Sequence, residues 1–465
     1  MTALQKKLFA EMLDENLFNQ ATIFGNEYKQ KAFERNVYPT EEALKDLNFF
    51  DEPMPDKTSD GKEILNTLNQ YGSPATLTTI GGRYFGFVIG SVIPVGMAAK
   101  ILATFWDQNC GMFVSSPITA KLETIAEQWL KSIFNLPAET VAGFVSGTSM
   151  ANFCGLAAAR YRLLKNQGWD INKSGFTNAP KIRVIASKEA HSTILKMTSI
   201  LGFGQDTIEY IDADEQGRIR TELINNLDNK TLLILQAGNV NSGSFDDFSS
   251  ICKKAKGTGA WIHIDGAFGL WAAASKKLNH LTTDIEFANS WAVDGHKTLN
   301  TPYDSGIVMC SDKEALTSAL HMSAGYIVLS EDRDSMFYTP EMSRRSRGIE
   351  LWAILKYLGR EGLDEMIEEM HIRAKQFSDA LSNIDGFEVM NDIVFNQVLV
   401  KCASDELTNT VLKNIQTDRV CWVGGSIWKG VKVIRISICS WATTENDINL
   451  SIDSFKRSLE KALKE

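Results

Sequence analysis

Four places in the sequence put chemically capable side chains just beyond an apolar run. VAGFV leads into Ser146-Gly147-Thr148-Ser149, IRVIAS leads to His191, WIHI leads to Asp265, and SWAV leads into Asp294-Gly295-His296-Lys297. Small residues at Gly147, Thr148 and Ser149 bring backbone N–H groups and hydroxyls to an anion, and a helix opening there adds its dipole. The same triplet also serves as ordinary helix capping. His191 is either a satisfied structural histidine or an imidazole that stacks on a flat ring. Asp265 is either a turn aspartate or the partner of a cationic ring nitrogen, which it would hold protonated. The pair His263 and Asp265 hints at a metal, but no third ligand is apparent, and the two side chains are expected on opposite faces of their strand. Lys297 is a solvated loop residue, or an amine that desolvation and nearby cations strip of its proton.

These residues need elements to position them. The runs VAGFV, IRVIAS, TLLILQA, WIHIDGA, SWAVDGH and SGIVMCS lack polar alternation, and helix-like stretches such as SMANFCGLAAARYRLLKNQG and FDDFSSICKKAKGTG lie between them. That pattern predicts an α/β architecture with a mostly parallel sheet covered on both faces. Ligands then bind beyond the carboxyl ends of the strands. Three regions follow: a helical N-terminal segment over 1–85, a large α/β domain over 86–343, and a small α+β domain over 344–465. The last contains SRGIELWAILKYLGREG, FNQVLVKC and VKVIRISICS.

Bulk properties narrow the function. The 465 residues carry 48 Lys+Arg against 57 Asp+Glu, a net charge of -9. The length permits a large buried core, and with no basic stripe a nucleic-acid surface is not expected. MTALQKKLFAEMLDENLFNQ reads as an amphipathic helix rather than a signal peptide. No apolar run is long enough to span a bilayer. The 7 cysteines are scattered without a CxxC pair, which suits a reducing, cytoplasmic setting. The expected partner is a small molecule, with neither nucleic acid nor membrane, and no metal.

In chain order the four places supply an anion cradle, a flat-ring residue, an acid and an amine. Those are the parts needed to hold pyridoxal 5′-phosphate, which has a phosphate, a planar ring, a pyridinium nitrogen and an aldehyde. The chain resembles the group II pyridoxal-phosphate-dependent decarboxylases, which include aromatic-L-amino-acid, glutamate and 2,4-diaminobutyrate enzymes. The resemblance runs from about Gly82 to Trp441. It rests on SPITAKLET, VSGTSMANFCGLAAAR, AHSTILKMTSILGFG, HIDGAFG, ANSWAVDGHK and RRSRGIELWAILK.

The resemblance implies the fold-type-I pyridoxal-phosphate transferase fold and a homodimer with active sites at its interface. It assigns the Schiff base to Lys297, the ring-nitrogen contact to Asp265 and ring stacking to His191. Gly147, Thr148, Ser149, Asp294 and His296 are the other expected cofactor contacts. A gapless alignment from Lys297 puts Tyr326 at the family's catalytic tyrosine, the expected proton donor. Relatives with phenylalanine there tend to make aldehydes using oxygen. Two positions depart from the family pattern: Asp294 stands where asparagine is common, and Thr298 where tryptophan is. An acid would repel a phosphate, so Asp294 is expected to face elsewhere or to be protonated.

DQNCGMFVSSP resembles the stretch that lines the partner subunit's substrate pocket. It puts Asn109 and Gly111 where aromatic decarboxylases carry apolar side chains, which implies a more polar or roomier pocket. Phe87 and Tyr303 offer aromatic walls, though all four are equally readable as packing residues. The expected reaction is decarboxylation of an L-amino acid to an amine. Its rivals are an aminotransferase or carbon–carbon lyase on the same fold, with Arg435 placed to bind an α-carboxylate, and a cofactor-free scaffold.

Overall fold

The computed structural model describes residues 1–320 and 332–464. The apolar runs become β1 (Val141–Val145), β2 (Arg183–Ser187), β3 (Ile208–Ile211), β4 (Thr231–Gln236), β5 (Trp261–Asp265), β6 (Ser290–Asp294) and β7 (Gly306–Cys310), which form one sheet in the order β1-β7-β6-β5-β4-β2-β3. Strands β2 to β6 pair in parallel, and β7 runs antiparallel to both β1 and β6. Strands β1, β4, β5, β6 and β7 are buried along their whole length. Cover on both faces explains the missing polar alternation.

Helices α1 (Ala3–Leu13), α2 (Glu15–Lys31), α3 (Glu41–Asp46) and α4 (Gly61–Thr67) occupy the N-terminal segment, and α5 (Pro94–Trp106) and α6 (Pro117–Ile133) precede β1. Helix α7 (Thr148–Lys165) leaves β1 directly and packs on β5, β6 and β7. Its Gly155 is required by that approach: a Cβ there would lie 2.7 Å from His263 Cε1 and 2.8 Å from Nδ1. The connections hold α8 (Ile171–Ser174), α9 (Ser192–Ile200), α10 (Phe248–Ala255) and α11 (Lys313–Leu320).

Helix α12 (Gly348–Ser382) bends at Gly359, where φ is 57°. Beyond it β8 (Glu388–Val389), β9 (Gln397–Lys401), β10 (Gly424–Trp428) and β11 (Val431–Ser437) form an antiparallel sheet in the order β10-β11-β9-β8. Helix α13 (Asp405–Asp418) packs on β11, and α14 (Glu445–Ala462) on α13 and α12.

One core joins the two sheets. It includes Ile262 and Ile264 of β5 together with Val398 of β9 and Ile434 of β11, and the rings of Phe268 and Phe395 stack across the junction at 6.2 Å. The end of the N-terminal segment also meets the smaller sheet, since Phe85 N–H donates to Trp422 O and Ser437 N–H to Phe85 O. Two motifs far apart in sequence, SPITAKLET and RRSRG, meet in a buried ionic cluster. Glu123 lies 3.1 Å from Arg344 and 3.5 Å from Arg333, and accepts a 2.6 Å bond from Ser335 Oγ.

Candidate active site

Elements leaving the carboxyl ends of β1, β2, β4, β5 and β6 converge on a cavity of about 340 Å³. At the β1 end, Thr148 opens α7, so the helix's first N–H groups point towards the cavity. Thr148 N–H donates to Asp294 Oδ1 at 2.6 Å, and its hydroxyl is buried with no hydrogen-bond partner among the described residues. Beyond β2, His191 caps α9; its Nδ1 accepts from Thr193 N–H at 3.3 Å and meets the Thr193 hydroxyl at 2.8 Å. The imidazole is therefore fixed by one edge.

Asp265 ends β5. Its Oδ1 accepts from Ala267 N–H and its Oδ2 from Asn152 Nδ2, both at 3.2 Å. After β6, Lys297 Nζ sits 3.1 Å from Asp294 Oδ2. His296 Nδ1 accepts from Ser305 N–H at 3.0 Å. Its proton accordingly sits on Nε2, 3.6 Å from Asp294 Oδ1. Burial pushes the Asp265 carboxyl up, opposed by the Lys297 charge and by the two hydrogen bonds. Burial pushes His191 and His296 down, which keeps both imidazoles neutral near pH 7.

A helix start for an anion, a deep acid, a fixed imidazole and an amine thus face one space. The family described as pyridoxal-dependent decarboxylase conserved domain matches residues 45–402. This chain belongs to that family. It is 27% identical to an aromatic-L-amino-acid decarboxylase of Bacillus atrophaeus over 78% of this chain and 76% of the relative. It is 23% identical to a 4-hydroxyphenylacetaldehyde synthase of Rhodiola rosea over 92% and 91%. In fold it matches the Oryza sativa protein TDC, solved with PLP and tryptamine, at a TM-score of 0.88, 20% identity and coverage of 96% and 97%.

As a pyridoxal-dependent decarboxylase, the chain uses pyridoxal 5′-phosphate to decarboxylate an amino acid. The cavity suits that cofactor. The unpartnered Thr148 hydroxyl and the α7 N-terminus match a phosphate. Gly147 keeps the seat open: a Cβ there would lie 3.2 Å from His296 Cε1 and 3.5 Å from Asp294 Oδ1. Ser149 lines the same cavity.

Several expectations change. Asp294 does not face elsewhere; it is 2% exposed, lines the cavity and pairs with Lys297. Thr298 uses its hydroxyl on Phe268 O at 2.8 Å, a structural contact. His263 and Asp265 do not lie on opposite faces, because residues two apart on a strand share a face, and both reach Asn152. Among the four expected pocket residues, Tyr303 reaches the site by stacking on His296 at 4.3 Å. Phe87 packs on Trp422 with ring centroids 5.4 Å apart and is 61% exposed. Asn109 and Gly111 lie outside this chain's cavity. Asn109 Oδ1 accepts from Gly111 N–H at 3.1 Å, and a Cβ on Gly111 would collide with Met342 O. Backbone packing within the chain therefore calls for a glycine at this position, whatever the stretch does at a partner subunit's pocket. Tyr326 lies outside the described residues.

Three site residues escaped the sequence reading: Asn152, Gln236 and Asn300. Gln236 ends β4 beside Asp265 and lines the cavity. Asn300 sits at φ 57°. Its Nδ2 lies 3.0 Å from Lys297 O and 2.9 Å from both Thr298 O and Cys439 O. Its Oδ1 accepts from the N–H groups of Ser91 and Trp441, each at 3.0 Å. The available signal was an asparagine closing the GHKTL turn, a residue type that tolerates the left-handed region.

Proposed function

We propose that this decarboxylase converts an L-amino acid to its amine in the cytoplasm as a homodimer, with Lys297 holding the cofactor. The reading rests chiefly on an amine, a buried carboxylate and a helix N-terminus reaching one cavity from separate strand ends. When bound, pyridoxal 5′-phosphate supplies the electron sink for carbon–carbon cleavage. Asp265, oriented by two hydrogen bonds, holds a proton at the ring nitrogen by charge. His191, fixed at its Nδ1 edge, limits ring tilt and excludes water. The Thr148 hydroxyl, Ser149, the Gly147 N–H and His296 Nε2–H would hold the phosphate, with Lys297 and Asp294, which takes the Thr148 N–H, alongside. Arg435 on β11 has a buried Nε without a hydrogen-bond partner among the described residues and is close enough to influence the charge of His191. We assign it to the substrate's carboxylate. All seven cysteines are free and buried, as a reducing compartment allows. Among the described residues, no helix is long and apolar enough to cross a membrane.

The amine product has one specific competitor, because a relative is named as an aldehyde synthase. Tyr326 favours the amine. Purified protein given pooled amino acids should yield amine and carbon dioxide by mass spectrometry. Tyr326→Phe should make amine about 100-fold more slowly or worse, the usual loss on removing a general acid, with aldehyde and hydrogen peroxide appearing instead. Amine at the wild-type rate from this variant would make Tyr326 a bystander.

The dimer reading draws on the N-terminal helices. Helices α1 and α2 bury no residue within the chain. Leu8, Phe9, Met12 and Leu13 are exposed there, as are Ile101, Leu102 and Phe105 on α5. An apolar cleft of about 1100 Å³ lies between α2 and α5. So large an apolar face marks an interface, and two-fold pairing of identical chains is the commonest way to cover one. Asn109 and Gly111 follow α5 directly, so the same pairing carries them towards the partner subunit's cavity. Sedimentation should give twice the 51.7 kDa chain mass, and Ile101→Asp with Phe105→Asp should give monomers of low activity. A fully active wild-type monomer at micromolar concentration would refute the dimer.

A further inference from the structure

Behind Asp265, four more side chains form a single buried line. Asn152 Nδ2 donates to Asp265 Oδ2 at 3.2 Å, and Asn152 Oδ1 lies 2.9 Å from His263 Nε2. His263 Nδ1 lies 2.8 Å from Ser290 Oγ, and Trp261 Nε1 donates to that oxygen at 2.9 Å. All four side chains belong to buried residues. They come from α7, β5 and β6, and Gly155, one turn beyond Asn152, lets α7 approach closely enough for the contact.

The direction of every bond can be worked out. A carboxylate only accepts, so Asn152 turns its NH₂ to Asp265 and its carbonyl to His263. His263 then donates from Nε2. Burial pushes the His263 imidazole down to about 3, so the ring is neutral and Nδ1 is bare. Ser290 therefore donates to Nδ1 and accepts from the indole of Trp261, which can only donate. The line runs one way, from Trp261 through Ser290, His263 and Asn152 to Asp265.

We propose that this line is a positioning device for the reaction: it orients the Asp265 carboxylate and favours its charged form against the burial that opposes it. The proposal rests on Asp265 serving the cofactor's ring nitrogen, and deepens that reading. Aligned donors polarise one another in a low-dielectric interior, and each faces the acceptor that the next donor leaves free. Ser290, His263 and Asn152 do not line the cavity. Trp261, at the far end of the line, has no catalytic part of its own.

The first test uses the cofactor-free protein with ¹⁵N-labelled histidine. NMR should find His263 protonated on Nε2 alone, with no titration between pH 5 and 9, and Asn152→Leu should disturb that signal. A charged ring, or a proton on Nδ1, overturns the direction of the line. The second test compares pyridoxal phosphate with its 1-deaza analogue, whose ring has carbon in place of the nitrogen. Asn152→Leu should lower kcat by about 10- to 100-fold with the natural cofactor, the range seen when groups that orient a ligand are removed. With the deaza analogue the loss should nearly vanish, since no nitrogen is left to serve. Equal losses with both cofactors would mean a merely structural role and overturn the proposal. Should Asn152→Leu fail to fold, Ser290→Ala removes the donor to His263 and the acceptor of the Trp261 indole, and should show the same cofactor-dependent pattern at smaller size. Asp265→Asn retaining wild-type kcat would strike the Asp265 reading itself and the role of the line with it, while leaving the tautomer of His263 intact.

Discussion

Lys297→Ala should abolish turnover, a fall of more than about 10⁴-fold, since the proposed role of Lys297 makes its amine the nucleophile that holds the cofactor. Borohydride reduction of the wild-type enzyme, followed by peptide mapping, should place the cofactor on Lys297; a label on another lysine would sink the assignment. The structure adds a second consequence. Lys297 is the lysine paired with Asp294, whose carboxylate is almost fully buried. Removing the amine leaves that carboxylate with a 2.6 Å bond from Thr148 N–H and a neutral His296 nearby. Breaking a buried pair from one side is destabilising by up to about 3–5 kcal/mol, so melting temperatures must accompany the kinetics. Weak cofactor binding through the α7 N-terminus should survive in the folded variant.

Asp265→Asn is the second large effect. The amide keeps the shape but loses the charge that, in the proposed role of Asp265, holds a proton on the ring nitrogen. We expect kcat to fall by about 10³-fold or more, since charge stabilisation is usually the largest single catalytic contribution. Folding should be nearly unaffected. Burial already disfavours the charged carboxyl, and a neutral group of equal shape avoids that desolvation. Near wild-type kcat would reduce Asp265 to a turn aspartate. A large drop in melting temperature would mean that its hydrogen bonds matter more than its charge.

The strand framework was legible because strands buried on both faces leave an unmistakable trace. Val141–Val145 and Trp291–Val293 are apolar at every position, and the chemically capable residues follow within one to four places. Chain order alone then brought cradle, imidazole, acid and amine into sequence. Side-chain partners were not legible. Asn152 meets His263 across 111 positions, and Asn300 meets Cys439 across 139; no local pattern encodes either contact. How Asp294 sits in the cavity was not legible for a related reason. Its repulsion of a phosphate was visible, but its attraction to Lys297 and to the Thr148 N–H depends on three-dimensional proximity. Nor was the close approach of the distant Met342 carbonyl, which requires a glycine at 111, legible. The apolar residues of α1 and α2 suggested ordinary amphipathic helices, yet none of them is buried within one chain.

The bonds of Asn300 have a consequence for the timing of biosynthesis. They tie the lysine turn to residues 91, 439 and 441 at once. During synthesis the larger sheet can begin to assemble early, as N-terminal regions generally do. The turn cannot be locked until residue 441 has been made. On the proposed reading of Lys297, firm cofactor capture waits for residue 441, and a ribosome that stalls before that point leaves a chain whose Lys297 has no finished turn to hold it.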